Sequence, residues 1–294
     1  MLISRRSLLQ AGAGGAAWLA LSAQTSPGAE TARQAAASPA GLRIGMCDWS
    51  LGKTGDLDMF KLGREIGLDG VEVSINFPGP GQHLRDPAVQ RLFKSAMAEH
   101  HVAAPSVALG ILNNVPLKSE PKAAIWLADA IDVARVLGAK AILIAFFGAG
   151  ELRMDNETDV SRTVDVLKEL APRAEKANVV LGLENTLSAE DNLRLLERVG
   201  SNWAQVYYDC KNSADLGRDV PAEIRLLGPR ICQVHLKNGG DLLSAPGNVN
   251  FAACADAFRE IGYRGWYVLE TANPSGDVIA DTRANIEYVR RYFS

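Results

Sequence analysis

From Leu42 onward, eight short apolar runs alternate with eight longer stretches of helical periodicity, and that alternation predicts a single (β/α)8 barrel, a closed parallel sheet with its crossover helices outside. Four of the runs also end by delivering a polar side chain: Glu184 in VVLGLE, Asp209 in AQVYYD, His235 in ICQVHLKN and Glu270 in WYVLE. Punctuation agrees, because Gly67, Gly138, Gly200, Gly228 and Gly262 each follow a periodic run, where a left-handed helix cap is needed.

In chain order, the first 23 residues place Arg5 and Arg6 ahead of an apolar run rich in Gly and Ala, the outline of a twin-arginine export signal. That run is shorter than the roughly 20 residues a spanning helix needs, so the expectation is an exported, periplasmic protein without a lasting membrane anchor. Residues 24–40, rich in Ser, Pro, Ala and Thr, read as a linker that buries too little apolar surface to offset its ordering entropy. The barrel then occupies residues 41–294. Its strands are expected at Arg43–Cys47, Gly70–Ser74, Val102–Val107, Ala141–Phe146, Val179–Glu184, Gln205–Asp209, Ile231–Leu236 and Trp266–Glu270. Apolar residues spaced by three and four place helices at Asp58–Ile66, Pro87–His100, Pro121–Leu137, Asp159–Lys176, Asp191–Val199, Pro221–Leu227, Phe251–Ile261 and Val278–Tyr292.

The composition, 47% hydrophobic and 22% charged over 294 residues, is that of one ordinary globular domain. A net charge of -3 gives no electrostatic footprint for nucleic acid or an anionic membrane, so the expected partner is a small molecule. The oligomeric state is open, a homo-oligomer included. Cys47, Cys210, Cys232 and Cys254 form no CxxC pair and read as small buried residues.

In such barrels the active site lies at the carboxyl ends of the strands, where Glu184, Asp209, His235 and Glu270 all fall, about 25, 26 and 35 residues apart. Three carboxylates and an imidazole aimed at one point repel one another unless a cation lies among them, which argues for one divalent metal ion. Side chains alternate along a strand, so Lys237 shares the face of His235 and is a candidate for orienting a substrate hydroxyl or stabilising an enediolate, or else for a plain ion pair with Glu270 or Asp209. Glu72, in VEVSI, sends a further acid into the barrel, either toward substrate or into a structural pair. Trp49 follows the first strand as a mouth wall or a platform for a sugar face. His83, in a Pro/Gly-rich loop, is a further candidate for the mouth.

The stretches LGLEN, YYDCKN, VHLKN and YVLET, in that order on predicted strand ends, make the chain similar to the xylose isomerase-like TIM barrels, specifically the sugar phosphate isomerase and epimerase family with its ketose 3-epimerases and inosose dehydratases. The resemblance implies that Glu184, Asp209, His235 and Glu270 are metal ligands and that Glu184 and Glu270 are also the acid/base pair. Two positions depart from the epimerases. Their substrate-binding histidine three residues after the aspartate is Asn212 here, and no arginine follows the histidine strand. Lys237 resembles the lysine of relatives that read HLKD, with Asn238 replacing the aspartate.

The leading expectation is a metal-dependent isomerase or epimerase that abstracts a proton next to the carbonyl of a ketosugar or sugar derivative. Loss of a β-substituent on the same path would make it a lyase, such as a 3-keto-glycoside eliminase, hydratase or dehydratase. Mn2+ is preferred, with Mg2+, Co2+ or Zn2+ as alternatives, because three carboxylates and one imidazole suit harder ions. Two rivals come from other classes. A phosphodiesterase like the AP endonucleases would need more histidines than the four present, and a sugar-binding barrel without turnover would bury paired acids at a high desolvation cost.

Overall fold

A computed structural model describes residues 41–75 and 83–294. The expected signal and linker, residues 1–40, lie outside the described residues. Eight strands close into one barrel in sequence order, each parallel to its neighbours: β1 Arg43–Cys47, β2 Gly70–Ser74, β3 Ser106–Leu109, β4 Ala141–Ala145, β5 Val180–Glu184, β6 Ala204–Asp209, β7 Ile231–Leu236 and β8 Trp266–Leu269. Closure comes from β1 pairing β8, with Arg43 opposite Trp266 and Met46 opposite Leu269. A closed ring leaves no strand edge unpaired.

Helices of at least eight residues follow the strands: α1 Asp58–Ile66, α2 Pro87–His100, α3 Pro121–Leu137, α4 Glu157–Ala177, α5 Ala189–Val199, α7 Val220–Leu227, α8 Phe251–Glu260 and α9 Val278–Phe293. A six-residue helix, α6 Cys210–Asp215, follows β6 directly. Several starts are fixed by a side-chain oxygen on a free backbone N–H: Asp86 caps α2, Asn156 α4, Ser188 α5 and Asp277 α9. The expected glycine stops hold at Gly67, Gly138 and Gly200, each left-handed. Among the described residues no helix is long and apolar enough to cross a membrane.

Two differences from expectation have physical causes. β3 begins at Ser106, not Val102, because Pro105 has no N–H to give the ladder; only Ala103, opposite Gly70, bridges before it. β7 carries one residue more than its partner: Val206 faces Ile231 and Tyr207 faces Gln233, so Cys232 is unmatched. That bulge sets the phase of every later residue of β7.

Most of the apolar core lies between sheet and helices. Inside the barrel the apolar cluster is small, Ala108, Leu143, Ala145 and Tyr207, with Trp49, Phe147 and Cys232 against it. The rest of the interior is polar.

Candidate active site

Alternation in β7 after the bulge puts Gln233, His235 and Lys237 on one face, stacked from the barrel interior to its mouth. His235 is fully buried, with carboxylates at both ring nitrogens. Nδ1 lies 3.0 Å from Glu184 Oε1 and 3.4 Å from Glu270 Oε2, while Nε2 lies 3.2 Å from Glu72 Oε1 and 3.4 Å from Cys47 Sγ. Burial works against its charge, but the carboxyl groups of Glu184 and Glu72 at its two ring nitrogens outweigh that penalty and hold its pKa well above the ordinary histidine value.

Asp209 ends β6 and starts α6. Its Oδ1 accepts from the backbone N–H groups of Lys211 (2.7 Å) and Asn212 (3.0 Å), which fixes the carboxylate and turns Oδ2 toward the mouth. There Lys237 Nζ lies 2.8 Å from Asp209 Oδ2 and donates to Glu270 Oε2, also at 2.8 Å. Trp49 Nε1 donates to the other oxygen, Glu270 Oε1, at 3.3 Å. Glu184, Asp209, His235 and Glu270 each present a ligand atom within 4.8 Å of the others. Three carboxylates to one imidazole is a donor set that fits a hard divalent cation.

The two glutamates sit in different fields. Burial raises the Glu184 carboxyl to about 7, with His235 opposing and Glu270 and Asp209 adding to the rise. Burial would raise Glu270 as well, but hydrogen bonds and charge from His235 and Lys237 dominate and hold it far below the usual range.

Beneath this layer lies a hydrogen-bonded network. Glu72 is fully buried and its Oε2 accepts from the hydroxyls of Ser106 and Tyr207, the latter at 2.6 Å. Gln233 Nε2 donates to Ser106 Oγ (2.6 Å) and to Tyr207 Oη (2.8 Å). Burial pushes the Cys47 thiol well above its ordinary value, so it stays protonated and donates to Glu72 Oε1 at 3.6 Å. Partners drawn from β1, β2, β3, β6 and β7 meet only inside the barrel.

Over the acids opens a cavity of about 400 Å³, within the range of small-molecule sites. Glu184, Asn212, Lys237 and Glu270 line it together with residues from the first half of the chain, the apolar Ile75, Ile111, Leu143 and Phe147 and the polar Thr54, Ser74 and Asn113, while Trp49 lies against Glu270. Asn212 Nδ2 is buried without a hydrogen-bond partner, a donor facing a cavity it helps to line.

Of the expected substrate contacts, Lys237, Asn212 and Trp49 border this cavity and two do not. Glu72 has no exposed surface and is not in the cavity lining; its carboxylate faces His235 instead. His83 lies next to the undescribed residues 76–82 and is not among the cavity's described lining; its Nδ1 accepts from the Arg85 N–H. Phe147 lines the cavity, whereas Phe146 is buried behind it. The sequence reading missed Tyr207 and Gln233, each two residues before a site residue on the same strand, and two-residue alternation was the signal that could have found them.

The family model described as xylose isomerase-like TIM barrel matches residues 60–292. L-ribulose-5-phosphate 3-epimerase UlaE of Salmonella paratyphi A is 29% identical to the chain, covering 76% of this chain and 86% of its own length. Among solved structures, D-allulose 3-epimerase from Methylomonas sp. superimposes with a TM-score of 0.71 at 19% identity, over 87% of this chain and 99% of that one. The 3-keto-D-glucoside 4-epimerase YcjR from E. coli gives 0.70 at 16%, over 85% and 100%. At such identities these two likenesses speak for the fold.

Proposed function

The chain belongs to the xylose isomerase-like TIM-barrel family, and from that premise we propose that it is a metal-dependent sugar isomerase, an epimerase that moves a proton on the carbon beside a carbonyl. The observation that carries this reading is the convergence of Glu184, Asp209, His235 and Glu270 under a cavity of small-molecule size. Those four residues would hold the cation, with Mn2+ the first choice. When bound, it polarises the carbonyl oxygen and lowers the cost of negative charge developing there.

The remaining work belongs to side chains. Glu184 and Glu270, converging under the cavity from different strands, act as the acid/base pair, one removing the proton and the other returning one. Delivery to the opposite face of the same carbon gives epimerisation. Delivery to the neighbouring carbon gives isomerisation. Lys237 and Asn212 present donors to substrate hydroxyls, and Trp49 and Phe147 offer apolar surface to a sugar face. A cavity whose described lining holds two carboxyls, one lysine and no arginine favours a neutral ketosugar or a 3-keto-glycoside over a phosphate ester. The paired arginines at residues 5 and 6 point to work outside the cytoplasm, a proposal that N-terminal sequencing of the exported protein tests.

The test is metal content of the purified protein with and without His235→Ala, followed by deuterium wash-in from solvent on ketosugars and 3-keto-glycosides. Near one equivalent of cation, lost in the variant, with deuterium entering one carbon next to the carbonyl, is the expected result. A substrate that loses a β-substituent as deuterium enters would move the assignment to a lyase. No bound metal and no exchange would overturn the enzyme reading.

A further inference from the structure

Lys237 sits where the acids most need positive charge. Its Nζ is 2.8 Å from Asp209 Oδ2 and 2.8 Å from Glu270 Oε2, so one ammonium bridges two of the four residues that converge for a cation. The bridge is largely withdrawn from water, with the three side chains 22%, 1% and 24% exposed. Asp209 has committed its other oxygen to two amides of α6, so it has no second way to offset its charge. Carboxylates clustered at such depth must be protonated or paired with positive charge, and Lys237 supplies that charge to Asp209 and Glu270.

We infer that the Lys237 ammonium is the built-in counter-ion of this acid cluster and that a divalent metal loads by exchanging with it. The inference rests on the metal-site reading above and goes beyond it. A carboxylate oxygen in contact with a divalent ion stands about 2.0–2.6 Å from it. An ammonium bridging the same two carboxylates would then face a doubly charged neighbour at close range, so the two cations exclude one another. Lys237 also lines the cavity, and its flexible four-carbon stem gives the displaced ammonium a place to go. Loading and the delivery of a cationic donor to the substrate side are thereby one event.

Competition of this kind lowers apparent metal affinity by the fraction of time that the lysine holds the site. Titration calorimetry with Mn2+ on the full-length wild-type protein and on Lys237→Met should show tighter binding by the variant, roughly tenfold or more. In chelator the variant should melt several degrees below wild type, and in saturating Mn2+ that gap should close. Lys237→Arg should restore the wild-type melting temperature in chelator. In the wild type itself, acetylation of Lys237 mapped by peptide mass spectrometry should rise when Mn2+ is added, which tests exchange even where a variant fails to fold. Equal or weaker Mn2+ binding by Lys237→Met, or labelling that does not rise, would overturn the exchange while leaving the metal site intact. Mn2+ binding by neither protein would overturn the metal reading and this inference with it.

Discussion

Glu72 accepts from two hydroxyls, a thiol and an imidazole while reaching neither solvent nor cavity. Its effect passes through His235, whose Nε2 it anchors so that Nδ1 faces Glu184 and Glu270. Glu72→Gln should therefore weaken Mn2+ binding by about 10–100-fold, read by calorimetry, while circular dichroism shows the fold retained. Asp48 is a second buried acid, and it carries a pH dependence. Burial raises its carboxyl from 3.8 to about 6, against hydrogen bonds from the Ser74 hydroxyl and backbone. The folded state then holds its proton more tightly than the unfolded chain. Its stabilising contribution is fully present below about pH 4 and is lost as pH rises through about 6. Asp48→Asn removes that loss, so the variant should gain on wild type by up to about 3 kcal/mol between pH 4 and pH 7.5 in urea melts. What the sequence made legible at this scale were acids at strand ends, because position along a strand fixes the end at which a side chain emerges. Ser106 and Tyr207 were not legible as partners of Glu72, since they lie 34 and 135 residues away in the chain.

The strands and long helices followed from periodicity, and their edges moved where one residue overruled the pattern. Pro105 delayed β3, and α6 went unread because six residues hold too little periodicity to stand out, although Asp209 was already singled out for another role. Buried Glu223 fastens that helix from α7, accepting from Ser213 Oγ at 2.5 Å and from Tyr208 Oη at 3.0 Å. Gly182 in β5 is an element-level constraint of the same kind. A Cβ there would stand 3.0 Å from Cys232 Sγ, which donates to the Val206 carbonyl oxygen at 3.3 Å, and 3.0 Å from the Ile142 carbonyl oxygen, which belongs to the β4–β5 ladder. Gly182→Ala should cost about 1–3 kcal/mol in urea unfolding. Gly110, where an added Cβ would meet nothing within 4 Å, should accept alanine within about 0.5 kcal/mol.

For the molecule as a whole, a cation that binds the folded barrel and not the unfolded chain adds to stability. At a hundredfold excess over its dissociation constant that amounts to about 2.7 kcal/mol. Mn2+ should then raise the melting temperature by roughly 5–10 °C in a thermal scan, with chelator reversing it. The closed ring was legible because eight alternations leave few other ways to bury every strand, whereas the shape of the cavity depends on loops whose sequences carry no period. Ring and cavity also divide the labour of the chain. The converging residues lie at the ends of β5 to β8, while most of the other described cavity-lining residues come from before residue 150. Substitutions in the first half therefore reshape the cavity while leaving the converging residues in place. Cys47, Trp49 and Glu72 tie the first half to His235 and Glu270, so a chimera with a foreign first half would need to bring a carboxylate to the place of Glu72.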